Sequence, residues 1–460
     1  MEDKKLFEKV VNLAKTRGFI YPSSEIYGGL SASYDYGPLG VELKNNIKKS
    51  WWKMFVTERP DMVGLDAAII MNPKAWEASG HLANFSDPLV ECKVCHHRFR
   101  YDHLLEKNSL EPKHDKEKPK NAKDIKCPDC GGALTDMRQF NMMLKTFIGP
   151  AEDSASVAYL RPETAGGIFV NFKNVAESTR QRLPFGIGQI GKAFRNEITT
   201  ENFIFRMREF EQMEVEYFVH PDKGLAAFED WLNVMRRWCQ FLGIKSEDLV
   251  EVEISEKDRA FYSKRTVDFE FKYTFGQKEL YGLAYRTDYD LNQHQKFSGQ
   301  DLSYTDPVTG DKFIPHVVEP SLGLDRSVLA VLLSAYTEVQ GGRSTTTEAK
   351  KDIELVLKLP YALAPIKIAV LPLSKKEELT KPAQAILLDL KKHFVCTYDE
   401  TASIGKRYRR QDEIGTPFCV TVDFESLEDK KVTVRDRDTM QQDRVAIAEL
   451  TKYFHEKFNN

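Results

Sequence analysis

The stretch QIGKAFRNEITTENFIFRMREFEQMEVEYF, residues 189–218, decides the fold of the chain. It predicts two long strands joined by the short polar loop TTEN, because side chains of a strand point alternately to its two faces. In the second strand, the large apolar residues share one face: Phe203, Phe205, Met207, Met213, Val215 and Tyr217. The opposite face is mostly charged or polar: Arg206, Arg208, Phe210, Gln212 and Glu214. In the first strand, Arg195 and Glu197 share a face.

The charged face of this hairpin has two interpretations. A row of arginines and carboxylates around one phenylalanine suits a site that binds an anion, a cation and a flat ring together. The same row is also compatible with a solvated antiparallel hairpin that carries cross-strand ion pairs. The alternation of residues alone favours neither interpretation.

The composition indicates a soluble globular protein. A length of 460 residues predicts two to four domains, and 29% charged with 42% hydrophobic residues is typical of this class. The net charge of −3 means that a nucleic-acid partner would have to contact local basic patches. No apolar run is long enough to span a bilayer, and the N-terminus lacks the apolar region of a signal peptide. We therefore expect a cytoplasmic protein with no membrane partner.

Four of the seven cysteines form two CxxC pairs, CKVC at 92–95 and CPDC at 127–130. Each pair can present two thiolates to one tetrahedral Zn²⁺. The Lys-rich stretch between them, residues 105–124, cannot form a core of its own, so a metal would hold this region together. The pattern predicts a structural zinc site formed by Cys92, Cys95, Cys127 and Cys130. The alternative is four reduced thiols with no metal.

Four spaced motifs resemble the class II aminoacyl-tRNA synthetases, in the form found in glycyl-tRNA synthetases. FRNE at 194–197, followed by FIFRMREFEQME at 203–214, resembles motif 2. GLDR at 323–326 resembles motif 3, and TERPDMVGLDA at 57–67 resembles the strand of motif 1. RPETAGGIF at 161–169 resembles the amino-acid-binding segment. Such a set of spaced motifs is far more specific than one short motif.

The resemblance implies a fold and a division into domains. Residues 1–345 would form an α+β class II synthetase catalytic core, an antiparallel sheet flanked by helices, with a zinc-knuckle-type insertion at about 88–140. Residues 355–460 alternate strand and helix, which predicts a mixed sheet with covering helices. This tail resembles the α/β anticodon-binding domain of several class II synthetases. The polar linker GGRSTTTEAKKD, residues 341–352, lies between the two parts.

The resemblance also implies an activity, the ATP-dependent attachment of glycine to tRNA(Gly) through a glycyl-adenylate. Mg²⁺ would bridge the phosphates of ATP. The helix predicted at 41–56 and the strand after it would form a homodimer interface, to which Trp51 and Trp52 would contribute exposed aromatic rings. The alternative for this helix is an ordinary core position.

The implied ATP site comes from motifs 2 and 3. Arg195 would contact the α-phosphate, and Arg206 and Arg326 the β- and γ-phosphates, with Arg195 and Arg326 as the catalytic pair. Phe210 would stack on adenine, and Glu197 would accept a hydrogen bond from its amino group. The implied ATP-binding residues are Arg195, Asn196, Glu197, Phe205, Arg206, Phe210, Glu279, Leu280, Gly323 and Arg326.

The implied glycine site is rich in carboxylates, which would surround the ammonium group. Several carboxylates near one point repel each other, so a bound cation would relieve the repulsion. The implied glycine-binding residues are Arg100, Glu163, Phe210, Gln212, Glu214, Glu319 and Ser321. For tRNA, a basic cluster in the tail suits phosphates, namely Lys406, Arg407, Arg409 and Arg410. The alternative for this cluster is a solvated helix face balanced by Asp412 and Glu413.

Two rival functional classes fit parts of the sequence. One is a non-catalytic subunit of class II type that binds nucleic acid, but the presence of Arg195, Glu197, Phe210 and Arg326 argues against it. The other is a synthetase for proline, threonine or serine, but the carboxylate-rich amino-acid site argues against those substrates.

Overall fold

The structure is a computed structural model that describes residues 2–108, 125–200, 202–260, 262–341, 343 and 352–459. Within these ranges the helices are α1 (Glu2–Thr16), α2 (Pro38–Trp52), α3 (Pro73–Ala78), α4 (His81–Asn84), α5 (Tyr101–Asn108), α6 (Ala165–Ser178), α7 (Gly224–Phe241), α8 (Tyr289–Ser298), α9 (Leu324–Ala335), α10 (Glu377–Leu390), α11 (Ile404–Ile414), α12 (Glu425–Asp429) and α13 (Leu450–Asn459). The strands are β1 (Ile20–Pro22), β2 (Tyr34–Tyr36), β3 (Met62–Gly64), β4 (Ser86–Glu91), β5 (Arg98–Arg100), β6 (Arg138–Asn141), β7 (Lys145–Phe147), β8 (Val157–Tyr159), β9 (Phe185–Phe194), β10 (Glu209–Val219), β11 (Leu249–Glu253), β12 (Arg265–Tyr273), β13 (Gly276–Thr287), β14 (Tyr304–Thr305), β15 (Lys312–Phe313), β16 (His316–Gly323), β17 (Tyr336–Gln340), β18 (Ile353–Leu357), β19 (Ile368–Pro372), β20 (Cys396–Tyr398), β21 (Phe418–Val422), β22 (Lys431–Asp436) and β23 (Gln442–Ala446).

A seven-stranded sheet in the order β11-β12-β13-β16-β10-β9-β3 forms the centre of the larger part of the chain. Every pairing in it is antiparallel except that of β3 with β9. The central hairpin predicted from residues 189–218 is formed by β9 and β10, and the apolar face of β10 is buried as expected. The expectation of an antiparallel sheet flanked by helices is therefore confirmed.

Strand β9 ends four residues earlier than predicted and β10 begins six residues later, so the predicted strand structure is wrong for residues 195–198 and 203–208. These residues belong to a long loop, 195–208, with a 3₁₀ turn at Phe203–Phe205. The backbone of Asn202 and Phe203 is left-handed, with φ of 64° and 59°, which turns the chain out of the strand direction. Burial of Phe203, Ile204 and Phe205 in the core fixes this turn. Arg195, Asn196, Glu197 and Arg206 thus project from a loop.

Helix α2 confirms the helix predicted at 41–56, but not the exposed tryptophans. Trp51 is fully buried, and its ring stacks on Phe55 at a centroid distance of 5.0 Å. Trp52 is half-buried and packs so closely on Gly64 that a Cβ there would lie 2.4 Å from the indole. The reason is helical periodicity, because Leu43, Ile47, Trp51 and Phe55 all lie on the face that points into the core.

The cysteine region has a three-stranded sheet that is separate from the central sheet. Its sheet has the order β5-β4-β6, and Cys92 follows β4 directly. Most of the Lys-rich stretch that was predicted to lack a core, residues 109–124, is outside the described residues.

The C-terminal part has its own five-stranded sheet, in the order β20-β19-β21-β22-β23. The first three strands are parallel, β22 runs antiparallel to β21, and β23 runs antiparallel to β22. Helices α10 and α13 pack in a hydrophobic core that includes Val370, Val420 and Phe454, and α11 packs against a smaller cluster with Ala369, Leu371 and Cys419. This confirms the predicted α/β architecture of the tail. Residues 344–351 of the predicted linker lie outside the described residues.

Candidate active site

A cavity of about 280 Å³ lies between the loop 195–208 and the strands β10, β13 and β16. It brings together most of the residues assigned to ATP or glycine by resemblance. The predicted residues that line it are Arg100, Arg195, Glu197, Phe205, Arg206, Phe210, Gln212, Glu279, Leu280, Ser321, Gly323 and Arg326. Four predicted residues do not line it: Asn196, Glu163, Glu214 and Glu319. The backbone N–H of Asn196 donates to the carbonyl of Met142 at 2.8 Å.

Two arginines at one end of the cavity have donors available for a ligand. The Nε of Arg195 donates to the carbonyl of Pro162 at 3.0 Å. Its guanidinium carbon lies 5.3 Å from the ring centre of Phe85 and 5.2 Å from that of Phe210. Arg206 Nη1 is buried and has no hydrogen-bond partner within the described parts of the chain. Guanidinium donors of this kind bind phosphate oxygens well.

Arg326 and Glu197 complete this end of the cavity. The guanidinium of Arg326 lies 4.5 Å from the ring centre of Phe205. Its Nη1 donates to the carbonyl of Glu279 at 2.9 Å and lies 3.4 Å from the carboxylate of the same residue. Glu197 Oε2 is buried without a hydrogen-bond partner among the described residues, so it is an available acceptor.

The other end of the cavity is formed by hydrogen-bonded polar side chains. Ser321 Oγ donates to Glu214 Oε1 at 2.7 Å, and Gln212 Nε2 lies 3.4 Å from the same oxygen. The hydroxyl of Thr164 donates to the other carboxylate oxygen of Glu214. Gln212 and Ser321 therefore line the cavity, and Glu214 lies directly behind them. Burial and the charge of Glu163 raise the pKa of Glu214.

Two further glutamates behind the cavity have partners that the sequence did not reveal. Glu163 lies 3.5 Å from His81 Nε2. Burial opposes ionisation of Glu163, but His81, with Arg286 and Arg195, lowers its pKa to about 2. Both oxygens of Glu319 accept from Arg286 Nη1, at 3.0 and 2.9 Å. Burial, against the attraction of Arg286, raises the pKa of Glu319 to about 8.

Arg286 is the main residue that sequence reasoning missed. It is buried, and its other nitrogens donate to Asp290 at 2.7 and 2.8 Å. Glu216, also missed, lies on the same face of β10 as Glu214, and the alternation of the strand could have indicated it. The role of Arg286 was harder to predict from the sequence, because only the pairing of β13 with β16 brings it close to Glu319.

Arg100 reaches the cavity as expected, but two carboxylates hold it there. Its Nη1 lies 2.8 Å from Asp87, and its Nε and Nη2 lie 3.2 and 2.7 Å from Asp102. Burial opposes ionisation of Arg100, but these two neighbours raise its pKa overall.

The four predicted cysteine ligands meet in one cluster. Their sulfur atoms all lie within 4.8 Å of one another, with 3.5 Å between Cys92 and Cys130 and 3.6 Å between Cys95 and Cys127. Four thiolates about 2.3 Å from a tetrahedral zinc would lie about 3.8 Å apart. Backbone N–H groups, chiefly those of Cys95 and Val94, lower the pKa of Cys92 to about 6. The cluster can therefore hold a metal ion.

The basic cluster in the tail is only partly available to a tRNA. Arg407 is buried, with 2% of its surface exposed, and donates to the backbone carbonyls of Pro372, Leu373 and Asp399. Arg410 pairs with the carboxylate of Asp399. The prediction that Arg407 contacts phosphate is wrong, because its side chain supports the ends of strands from inside the domain. Asp412 and Glu413 are buried too, so the alternative of a solvated helix face is also wrong.

Comparison with known sequence families defines the class of the chain. Residues 149–336 match the "tRNA synthetase class II core domain (G, H, P, S and T)", and residues 367–457 match the "Anticodon binding domain". With the central antiparallel sheet and the cavity on it, these matches define a class II aminoacyl-tRNA synthetase.

Curated relatives narrow the class to one family. The chain is 57% identical to the glycine–tRNA ligase of Acetivibrio thermocellus over 470 residues, covering all of both chains. It is 54% identical to that of Lachnospira eligens, with 99% of each chain covered. It is 51% identical to that of Thermobifida fusca, with 98% of this chain and 97% of the relative covered. The chain belongs to the glycine–tRNA ligase family.

A solved structure supports the fold at greater evolutionary distance. The prolyl-tRNA synthetase of Cryptosporidium parvum, complexed with halofuginone and AMPPNP, superposes with a TM-score of 0.63 at 15% identity. The match covers 98% of this chain and 75% of that one.

Among the described residues, none of the helices has the length and hydropathy that a membrane span needs.

Proposed function

We propose that the cavity between β10, β13, β16 and the loop 195–208 is where this chain activates glycine. Family membership makes the overall reaction the ATP-dependent attachment of glycine to tRNA, and a class II core uses ATP and Mg²⁺. One observation carries the assignment. A single cavity is lined at one end by Arg195 and by Arg206, whose buried Nη1 has no hydrogen-bond partner among the described residues, and has a buried carboxylate group behind Gln212 and Ser321 at the other.

The first step forms a bond between a glycine carboxylate oxygen and the α-phosphorus of ATP, while the bond to pyrophosphate breaks. The glycine carboxylate is already ionised at pH 7, so no protein base is needed. Catalysis is positioning together with stabilisation of charge on the phosphates. We assign this stabilisation to Arg195 at the α-phosphate and to Arg206 and Arg326 at the β- and γ-phosphates. A lost donor of this type costs about 3–4 kcal/mol of transition-state stabilisation.

The remaining residues of the cavity bind the other groups of the substrates. Phe210 offers a ring face for adenine, and Glu197 has a free acceptor for its amino group. At the other end, the ammonium of glycine would meet Glu214 and Ser321, with Glu163 and Glu319 adding negative charge. Glycine is then distinguished by its size, because any side chain would collide with this wall.

Carboxylates near Glu279 add negative charge to the side of the cavity that we assign to Mg²⁺ and the phosphates. Glu270 lies opposite Glu279 in the pairing of β12 with β13, and Asp268 is close to both. Burial and these two carboxylates raise the pKa of Asp268 to about 7, which indicates an excess of negative charge that a cation would balance. Mg²⁺ bound there would neutralise phosphate charge on ATP.

We propose that the cysteine cluster binds one structural Zn²⁺. The sulfur–sulfur distances and the N–H groups directed at Cys92 support this, and so does the choice of ligands, because four thiolates favour zinc. For tRNA phosphates, Lys406 is the exposed residue of the predicted basic cluster, and Arg409 is half-exposed beside it.

The organisation of the chain is proposed on similar grounds. The two hydrophobic cores support a catalytic domain at 1–345 and an anticodon-binding domain at 355–460, although Leu357, Leu359 and Leu363 pack in the core of the first. Ile26, Tyr27 and Leu30 are 88%, 85% and 65% exposed in the segment that precedes α2, which supports a homodimer interface that includes this segment. Sedimentation velocity at micromolar concentration tests the homodimer, and a monomer would contradict it.

All seven cysteines are free of disulfide bonds, which supports a cytoplasmic location.

The decisive experiment for the activity is glycine-dependent exchange of labelled pyrophosphate into ATP. We expect exchange with glycine and at least about 100-fold less with alanine, serine, proline or threonine. Equal exchange with any of these, or none with glycine, would contradict the assignment of the cavity. Transfer of labelled glycine to tRNA then tests the second step.

A further inference from the structure

Glu216 and Glu319 face each other across two neighbouring strands in the interior of the protein. The register of β10 with β16 pairs Glu214 with Ser321 and Tyr217 with Val318, which places Glu216 directly opposite Glu319. Glu216 is 0% exposed, and Glu319 is 6% exposed. Like charges directly opposite each other in a sheet are destabilising, and burial strengthens their repulsion.

The two carboxylates differ in their partners. Glu319 has two hydrogen bonds from Arg286, whose remaining donors are occupied by Asp290. Both carboxylate oxygens of Glu216 are buried and have no hydrogen-bond partner among the described residues. A buried, unpaired carboxylate is far more costly than the neutral acid. In the empty site, Glu216 is therefore the protonated, neutral carboxylic acid.

The charged groups around Glu216 come from every neighbouring element. Glu214 on the same strand, Glu319 on β16, Arg286 on β13 and Asp290 on α8 act on Glu216 itself, whereas Glu163 before α6 acts on Glu214 and Glu319, and His294 on α8 lies near Asp290. Burial and the charge of Glu319 raise the pKa of Glu216 well above its ordinary value, although Arg286 opposes the shift. The negative groups outnumber the positive ones, so the cluster can accept a cation.

The geometry allows one cation to contact three of these carboxylates at once. One oxygen each of Glu214, Glu216 and Glu319 lie within 4.8 Å of one another. Three atoms at such separations all lie within about 2.8 Å of a common point, which is the length of an N–H···O hydrogen bond. An ammonium group has three N–H donors, one for each carboxylate.

We propose that Glu216 is a third carboxylate partner of the glycine ammonium, protonated in the empty site and ionised when glycine is bound. This rests on the proposed function of the cavity and names a further specificity-determining residue for it. On binding, the O–H bond of Glu216 breaks and its proton passes to the solvent, while glycine keeps its ammonium protons. The net charge of the buried cluster then stays constant, because the glycine ammonium adds one positive charge and the proton lost from Glu216 removes one.

This exchange predicts the sign of a pH effect on glycine affinity. Below the pKa of Glu216, glycine must displace a proton, so its apparent Kd falls about tenfold for each pH unit of increase. At pH values at which Glu216 is already ionised in the empty site, the apparent Kd for glycine no longer changes with pH. The pH dependence of ATP binding, to which Asp268 near Glu279 contributes, should be the same in the natural protein and in Glu216→Gln.

Calorimetric titration of the full chain with glycine tests the proposal directly. Titrations at pH 7 in buffers of different ionisation enthalpy give the number of protons released per glycine bound. Because the pKa of Glu319 is also raised, to about 8, we expect between about one and two protons for the natural protein and about one fewer for Glu216→Gln. This variant should also raise the glycine KM about 10- to 100-fold and make it less dependent on pH, with the ATP KM unchanged. Glu338→Gln, at an exposed ion pair with Lys9, is the matched control.

Several outcomes would overturn the proposal. No proton release by the natural protein would do so, and this measurement does not depend on the folding of any variant. Full release by Glu216→Gln together with none by Glu319→Gln would assign the proton to Glu319. If the glycine affinity depends on the concentration of Na⁺ or Mg²⁺ and not on pH, a metal ion and not a proton occupies the empty carboxylate cluster. If glycine-dependent exchange is intact while Glu216→Gln keeps the natural glycine KM, only this inference fails and the proposed function stands.

Discussion

Lys44 Nζ on α2 lies 3.1 Å from Asp325 Oδ1, the carboxylate of the residue immediately before Arg326. The same oxygen accepts a hydrogen bond of 2.5 Å from Tyr36, and the other oxygen accepts one of 2.7 Å from the backbone N–H of Glu211. Asp325 is 3% exposed, so its charge is balanced inside the protein. These contacts join α2, β10 and the start of α9, and they fix the position from which Arg326 reaches the cavity.

Asp325→Asn should weaken both stability and ATP binding. It leaves Lys44 with only one of its two carboxylate partners in a mostly buried site, so we expect a loss of about 2–4 kcal/mol in the free energy of unfolding. The displaced start of α9 should raise the KM for ATP more than that for glycine. Urea unfolding and exchange kinetics measure the two effects. Glu338→Gln breaks an exposed pair and should cost less than about 1 kcal/mol; equal stability of the two variants would contradict the prediction.

Arg195→Ala and Glu319→Gln should affect different kinetic constants. Removal of Arg195 takes away charge stabilisation that is strongest in the transition state, so kcat should fall about 10²–10³-fold. Glu319→Gln removes charge near an ammonium that is the same in ground and transition states, so the glycine KM should rise more than kcat falls. Exchange kinetics with glycine and ATP varied separately measure both. Arg236→Ala, at a surface pair with Glu251, should behave like the natural protein. A Glu319→Gln variant that binds ATP poorly but glycine normally would show that the amino-acid end is misassigned.

Cys127→Ser should abolish metal binding by the cysteine cluster. Without one of four thiolates, a tetrahedral zinc site loses most of its affinity, so elemental analysis should find about one Zn²⁺ per natural chain and less than about 0.2 in the variant. Cys396→Ser is the control, because Cys396 is also buried but lies in the C-terminal core. Natural protein purified without chelator and free of zinc would contradict the prediction.

Asp268→Asn should change how stability depends on pH. The pKa of Asp268 is raised to about 7 in the folded protein, while an unfolded aspartate titrates near about 4. The folded state therefore holds a proton that the unfolded state has lost, and Asp268 makes the protein less stable as pH rises from about 4 to 7. The variant should lack this contribution and gain about 1–2 kcal/mol over the natural protein at pH 8, but little at pH 4.5. Urea unfolding at both pH values measures the difference, and an equal gain at both would contradict the assignment.

The alternation of residues in β10 was enough to predict which side chains face the core and which face the cavity. It could not predict the course of residues 195–208, because that depends on the left-handed turn at Asn202 and Phe203 and on the core that buries it. Nor could periodicity along one strand show which charges meet across strands, so the pairing of Arg286 with Glu319 was missed. The burial of Arg407 was missed for a similar reason, since its acceptors are carbonyls about 35 residues away in the chain.

Arg100, in the wall of the active-site cavity, belongs to the same short strand pair as the first two cysteines. Strand β5 pairs with β4 from Leu89 to Glu91, and the chain between these strands contains Cys92 and Cys95. An ion bound by the cysteines would therefore also help to position Arg100, and we expect the two binding equilibria to be thermodynamically linked. Linkage is reciprocal, so substrates that draw Arg100 into place must strengthen metal retention by the same factor. The rate at which a chelator strips the metal would then report the occupancy of the active site.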